Sequence, residues 1–433
     1  MRSVFPLTIL EECYYWEDLP AYPCSWFARL RFSGCLERTG LKTAVLSTLR
    51  RHPLLTANVQ MVGKQLQWLI VDDFDPVIRW ETGPIGGAFP PARQQDLQRE
   101  MGIDFHVRTD TTASELTIQF HHACCDGTGG CQFISDLLRG YAATCGAPSP
   151  LELPPLDRDR LEGRPKFKIA PRQLAAGLWR TAKFVMRTPV PVIPHRVGLH
   201  DEAPPEGFPT VLCYTFDEET TARVQKRSQA LAVTLNDLLA TDLFLALATW
   251  RSNHNLEDGG WLRMMIPVNL RTIGDKHLPA ANVLGGTHLD RRQPDFADAA
   301  RLLRSVHEEM AFIKRWDLGR CFVALAEQCR RWPGLLERLI RTDKCRMSIM
   351  FSNVGKVLKR LPLPHHKGRV VAGNVTLEGI DFVGTLHPYL GVNAVVAWYA
   401  NRLSLTLHYD QRALSKEQAT DLFDIYRRRI QEG

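Results

Sequence analysis

No apolar run in this 433-residue sequence is long enough to span a bilayer. The best stretch, DLLATDLFLALATW, is interrupted by Asp237 and Asp242. A secretory leader is not expected either: MRSVFPLTILEECYYWEDLP has one Arg, an apolar stretch too brief for a signal sequence and acids from Glu11 onward. The 11 cysteines are odd in number and follow no disulfide-framework spacing, so reduced thiols in a cytoplasmic protein are expected. No fixed-period repeat is present. Between Gly163 and His200 there is no acidic residue at all, while Arg164, Lys166, Lys168, Arg172, Arg180, Lys183, Arg187 and Arg196 are all cationic. Because the formal net charge is +7, those eight residues account for the whole excess. The aromatic interleaving and motifs of a nucleic-acid-binding fold are absent, which excludes that class of partner.

What is present is the composition of a globular protein, 45% hydrophobic and 23% charged, with enough chain for two or three packed units. Residues 1–165 alternate strand-like and helix-like patterns. LERTGLKTAVLSTLRRHPLLTANVQ reads as an amphipathic helix stopped near Pro53 and followed by a strand, and ELTIQFHH alternates with period two before a glycine-rich turn and a helix. Residues 166–210 form a Pro-rich crossing whose PRQLAAGLWRTAKFVMR is a basic amphipathic helix. Residues 211–433 resume the mixed pattern and end on the helix SKEQATDLFDIYRRRIQ. The expected class is α/β, two mixed halves joined by the crossing.

One group of residues suggests chemistry: HHACCDG, residues 121–127, in a chain with only 14 His. On a strand, alternate side chains share a face, so Leu116, Ile118, Phe120 and His122 fall on one side and Glu115, Thr117, Gln119 and His121 on the other. The first set is expected to be the buried one. A histidine there is either a satisfied core residue or a base on a dry, rigid mount. Asp126 lies in the turn that follows, and a carboxylate brought back beside the strand must be paired. Other readings of the string remain open. Cys124 or Cys125 could serve as the nucleophile of a cysteine-dependent hydrolase. Metal binding is disfavoured, because adjacent ligands on a strand diverge and the usual ligand spacings are missing. His365-His366, in LPLPHHKG, has no DG behind it and reads as a surface loop.

Four fixed positions at the spacing HHxxxDG arise by chance in on the order of one chain in a thousand of this length. The string resembles the signature of the HHxxxDG acyltransferase superfamily, which comprises chloramphenicol acetyltransferase, peptide-synthetase condensation domains, polyketide-associated acyltransferases and wax ester synthases. Further elements resemble the family's in order: RRHPLLTANV at 50–59, MIPVNLR ending at Arg271, Asn282 in AANVLGG, FSNVGKV at 351–357 and LHYDQRALSKEQA near the end. The plant DFGWG motif is absent, and GIDF at 379–382 does not match it. The resemblance covers nearly the whole chain.

The resemblance implies two chloramphenicol-acetyltransferase-like subdomains in a V around a central channel. It implies a free-standing acyltransferase that moves an acyl group from a thioester, on coenzyme A or a carrier protein, to a hydroxyl or amine. His122 would be the general base. Asp126 would be structural and paired with Arg271, with His121 and Gly127 as support. Ser352 and Asn353 are candidates for oxyanion stabilisation, and no cofactor beyond the thioester co-substrate is called for. The alternative within the family is a catalytically silent binding module. A monomer is expected. The 166–190 segment is a candidate for peripheral membrane contact, against the plainer expectation of a helix packed on its own domain with a solvated basic face.

Overall fold

The computed structural model describes residues 4–146, 153–164, 169–194, 203–256, 259–332, 334–342 and 344–432. Two sheets organise it. The first is seven-stranded, in the order His365–His366, Arg369–Ala372, Val375–Val383, Ser25–Ser33, Ala113–His121, Ile103–Thr109, Ile78–Thr82. The second is six-stranded, in the order Leu284–Arg291, Leu262–Asn269, Ile349–Lys356, Val392–Tyr399, Arg402–Tyr409, Thr210–Thr215. A small three-stranded sheet carries Val4–Pro6, Gln65–Leu69 and Asn58–Val62. Each large sheet has its own core. Phe105, Ile118, Phe120, Phe133 and Leu49 lie in one, and Leu243, Phe244, Trp250, Phe351 and Leu405 in the other. This is the mixed α/β, two-subdomain architecture expected.

The strand pairing crosses the contiguous division at 165 and 211. Val375–Val383 belongs to the later part of the sequence, yet it pairs antiparallel with Ser25–Ser33, Val383 opposite Phe27 and Ile380 opposite Leu30. The sequence pattern marks this segment as a strand; nothing local specifies which sheet it joins. On its other edge Ser25–Ser33 pairs antiparallel with Ala113–His121, Ser25 opposite His121. The motif strand is therefore central, and both of its faces are covered. Leu116, Ile118 and Phe120 are buried, and so are Glu115, Thr117, Gln119 and His121. One face of this strand is not wet, contrary to the simple alternation argument.

Helices cover the sheets where their apolar stripes dictate. Arg38–Leu49 buries Leu41, Val45 and Leu49, and Gly127–Thr144 buries Phe133, Ile134, Leu137 and Tyr141. Helices Leu318–Cys329 and Leu335–Ile340, not distinguished in the sequence, follow Ala299–Arg315.

The crossing helix, Pro171–Met186, packs on its own domain, with Phe184 against His288 and beneath the Arg263 guanidinium. Its packed side is Gly177, where a Cβ would come within 2.8 Å of Cys321 Cβ, and Arg180, which donates to Glu309 at 2.6 Å and to the His288 carbonyl. Leu178 is 52% exposed, Trp179 61%, Val185 74% and Met186 80%, so its apolar residues, not only its basic ones, face outward. Lys166, Lys168 and Arg196, counted in the basic segment, lie outside the described residues.

All eleven cysteines are free thiols. His365 and His366 are exposed on the edge of the seven-stranded sheet.

Candidate active site

The strand ends at His121, and His122 is the first residue of the turn that follows, half-buried, not a member of the strand's apolar face. Its main chain is fixed by other segments. The His122 N–H donates to the Cys24 carbonyl at 2.7 Å, and Asn282 Nδ2 donates to the carbonyls of His122 at 2.7 Å and Ala123 at 2.8 Å.

Asp126 caps the helix Gly127–Thr144, so the motif's DG is the helix start and not a separate turn. The carboxylate is fully buried and has three partners. Oδ1 accepts from the Gly129 N–H at 2.8 Å; Oδ2 accepts from Arg271 Nη1 at 2.7 Å and from the Val283 N–H at 2.8 Å. Arg271 Nη2 also donates to the Ala281 carbonyl at 2.8 Å. None of these bonds runs to the imidazole of His122, so Asp126 binds the motif loop to residues 271–283 rather than relaying a proton. A Cβ on Gly130 would sit 2.1 Å from the Trp26 ring, and one on Gly129 would sit 3.0 Å from the Ala281 main chain. The glycines required for close approach are thus these two; at Gly127 a Cβ would meet nothing within 4 Å.

The RRHPLLTANV element serves the same loop. Buried His52 accepts from the Ala280 N–H at 2.9 Å through Nδ1, while its Nε2 lies 3.3 Å from Asp136. Burial holds His52 below its ordinary pKa. The side chain therefore ties residue 280 to the helix behind the motif.

The two motif histidines have different surroundings. His121 accepts from the Ala123 N–H at 3.1 Å through Nδ1, and its Nε2 lies 3.8 Å from Asp18 Oδ2. A cavity of about 340 Å³ opens on its side, lined in part by Trp16, Asp18, Gln95 and Arg341. A larger cleft of about 540 Å³, between Arg38–Leu49 and Trp80, lies away from the motif.

His122 stacks flat on Tyr14, with ring centroids 4.0 Å apart and planes 13° from parallel. Its Nδ1 is buried with no hydrogen-bond partner in another residue. Burial lowers the imidazole pKa to about 4, with the main-chain carbonyl of His122 and the Asp126 carboxylate acting in the opposite direction and His387 and His121 adding to the decrease. At neutral pH the ring is uncharged and able to accept a proton.

Four residues that motif reading does not reveal complete the surroundings. Tyr14 and Glu17 come from helix Ile9–Glu17, whose start is a capping box between Thr8 and Glu11. That TxxE pattern was legible in the sequence; the partnership of Tyr14 with His122 was not. His387 lies 3.7 Å from Glu17 through Nδ1, and burial lowers its pKa to about 4. Burial raises the Glu17 carboxyl to about 7, against the pull of Arg346. Burial also raises the Tyr14 phenol well above its usual range.

Other sequence candidates fare differently. Cys124 and Cys125 are buried, and burial pushes both thiols well above their usual range. Asn353 is engaged with Asn236 at 3.5 Å and with the Gly355 N–H at 3.0 Å, and Ser352 is half-buried on the strand Ile349–Lys356.

No family model matches the sequence. Two curated relatives, both uncharacterised proteins of Mycobacterium tuberculosis strains, are 26% identical over 377 residues, covering 82% of this chain and 84% of theirs. Solved structures are similar over the full length. The first condensation domain of the calcium-dependent antibiotic synthetase, in complex with a substrate analogue, matches with TM-score 0.74 at 15% identity, covering 100% of this chain and 97% of that one. Trichothecene 15-O-acetyltransferase from Fusarium sporotrichioides matches with TM-score 0.72 at 11% identity, covering 99% and 94%. The starter condensation domain of rhizomide synthetase, a mutant in complex with C8-CoA and Leu-SNAC, matches with TM-score 0.69 at 11% identity, covering 99% and 94%. The protein therefore has the two-subdomain fold that these condensation domains and the acetyltransferase share.

Proposed function

We propose that this protein is an acyltransferase that moves an acyl group from a thioester, borne by coenzyme A or a carrier protein, to a hydroxyl or amine, with His122 as the general base. The observation that carries the reading is an uncharged imidazole on a turn fixed from both sides, by Cys24 in one half and by Asn282 in the other, and with Nδ1 buried, Nε2 is the nitrogen proposed as the base. Thioester analogues bound by a structure of the same fold support the choice of donor.

In the proposed step, Nε2 takes the proton of the acceptor O–H or N–H as that atom attacks the thioester carbonyl. The tetrahedral intermediate collapses with cleavage of the C–S bond, and the departing thiolate recovers the proton from Nε2. Acceptor and thioester together supply every atom of ester or amide and free thiol, and the proton passes through Nε2 with no net change to the protein. Ser352 and Asn353 stay as proposed donors to the oxyanion. Asp126 and Arg271 contribute geometry, because their pairing holds the loop that carries the base in place. A cysteine nucleophile is disfavoured by thiols that remain protonated at neutral pH.

The test is thiol release from a series of acyl-CoA thioesters offered with a panel of alcohols and amines, before and after treatment with iodoacetamide. The proposal predicts acceptor-dependent release that survives thiol blocking. Release abolished by blocking would indicate a cysteine route, and binding without release would indicate a silent module.

A further inference from the structure

We infer that helix Pro171–Met186 is an in-plane docking element for an anionic lipid surface. A helix at a domain surface normally turns its apolar stripe inward. Here the fully buried positions are Gly177 and Arg180, the one large apolar residue on that side is half-buried Phe184 against His288 and the Arg263 guanidinium, and the Arg180 charge is consumed by Glu309 and the His288 carbonyl. Leu174, Leu178 and Val185 make one outward row, and Trp179 and Met186 make the next, all between 41% and 80% exposed. The outward stripe is therefore the side opposite the packed one, and nothing among the described residues covers it.

Charge decides what does. Between Gly163 and His200 the chain has no acidic residue. Arg172 is exposed at the helix start, and the Lys183 ammonium lies 5.3 Å above the Trp179 ring. Arg172 in turn reaches to 5.9 Å of the Trp316 ring, beside exposed Phe312, Lys314 and Arg315 on the neighbouring helix Ala299–Arg315. Of the nearby acids, Glu309 is paired with Arg180 and Arg291, and Asp317 with Arg320 at 2.9 Å, while Glu308 is exposed on the face of Phe312 and Arg315, where the cations Arg172, Lys183, Lys314 and Arg315 outnumber it. An apolar stripe with an indole and a rim of unpaired cations matches the acyl boundary and the negative headgroups of a bilayer, where Lys and Arg extend to the phosphates. At 16 residues the helix is about 24 Å long and lies along the surface; no helix among the described residues is long and apolar enough to cross a membrane.

Co-sedimentation of the full chain with vesicles tests this, using phosphatidylcholine alone and phosphatidylcholine containing one quarter phosphatidylglycerol. Binding to the anionic vesicles is expected, weakened by salt. Leu178→Glu with Trp179→Glu should reduce it to the level seen with neutral vesicles, and Lys183→Gln should lower it about fivefold. The double variant changes exposed residues and Lys183→Gln a half-buried one with no carboxylate partner among the described residues, so the unfolding midpoints should stay close to the wild type's, and thiol release with soluble acceptors should be unaffected, which separates this inference from the proposed chemistry. Three outcomes would overturn it: no binding to anionic vesicles, equal binding by the double variant, or a wild-type dimer that the double variant dissociates without any vesicle binding.

Discussion

Replacing Asp126 with Ala should destabilise the protein, and the expected amount follows from its three partners. Loss of the helix cap at Gly129 costs about 1 kcal/mol. The Val283 N–H, left unpaired in the interior, costs about 1–3 kcal/mol. Removing the counter-ion of Arg271, whose side chain is only 13% exposed, belongs with buried pairs that cost about 3–5 kcal/mol to break. The three effects share one carboxylate and overlap, so a net loss of about 4–6 kcal/mol is expected. With an unfolding entropy of roughly 2.1 cal/mol/K per residue, that loss lowers the midpoint of a chain this size by about 5 °C. Thermal unfolding followed by circular dichroism measures it, and Asp126→Asn, which can retain the cap, should lose roughly half as much. If Asp126→Ala unfolds at the wild-type temperature yet has lost all turnover, the carboxylate acts in the chemistry and the reasoning fails.

Three further outcomes follow from the same geometry. Asn282→Ala removes both bonds to the carbonyls of His122 and Ala123, so thiol release should fall about 10-fold to 100-fold while the substrate KM changes little; an unchanged rate would show that the turn holds itself. Tyr14→Leu removes the ring that flanks His122 but keeps apolar bulk, and should let water reach the imidazole, raising its pKa from about 4 toward 6.5, as a histidine NMR titration would show. Acid should destabilise the fold. His387 and His408 are held neutral by burial, each lowered from 6.5 to about 4, so their contribution is complete above pH 6.5 and is lost as pH falls toward 4. At pH 5 fully buried His408 alone costs about 2 kcal/mol. Glu17, raised from 4.5 to about 7, has the opposite sign and offsets only part of this. Urea midpoints at pH 7 and pH 5 decide the matter; a higher midpoint at pH 5 would contradict the assigned burial.

The site was legible in the sequence to the extent that its residues share a local pattern. His122 and Asp126 lie four positions apart in one strand–turn–helix unit, and Arg271, two residues past the strand Leu262–Asn269, closes a string that resembles a family element, so the resemblance implied the pairing of Asp126 with Arg271 before the 2.7 Å contact was seen. Tyr14, Glu17, Arg346 and His387 come from three distant segments with no spacing relation, and only folding brings them together. The same limit explains the strand Val375–Val383, whose composition says strand while its partner, Ser25–Ser33, is a long-range choice. For the crossing helix the limit is of a different kind. Periodicity reveals that a stripe exists but not which side a fold will cover, and a small Gly177 with a paired Arg180 gave the neighbouring helix the closer approach.

The most direct measurement compares thiol release by His122→Ala with that of the wild type under saturating thioester and acceptor, with unfolding midpoints recorded on the same samples. Removing a general base predicts a rate lower by about 100-fold to 10,000-fold at an essentially unchanged midpoint. A His122→Ala protein that turns over at the wild-type rate would show that proton transfer occurs elsewhere, and the acyltransfer account as built would be wrong.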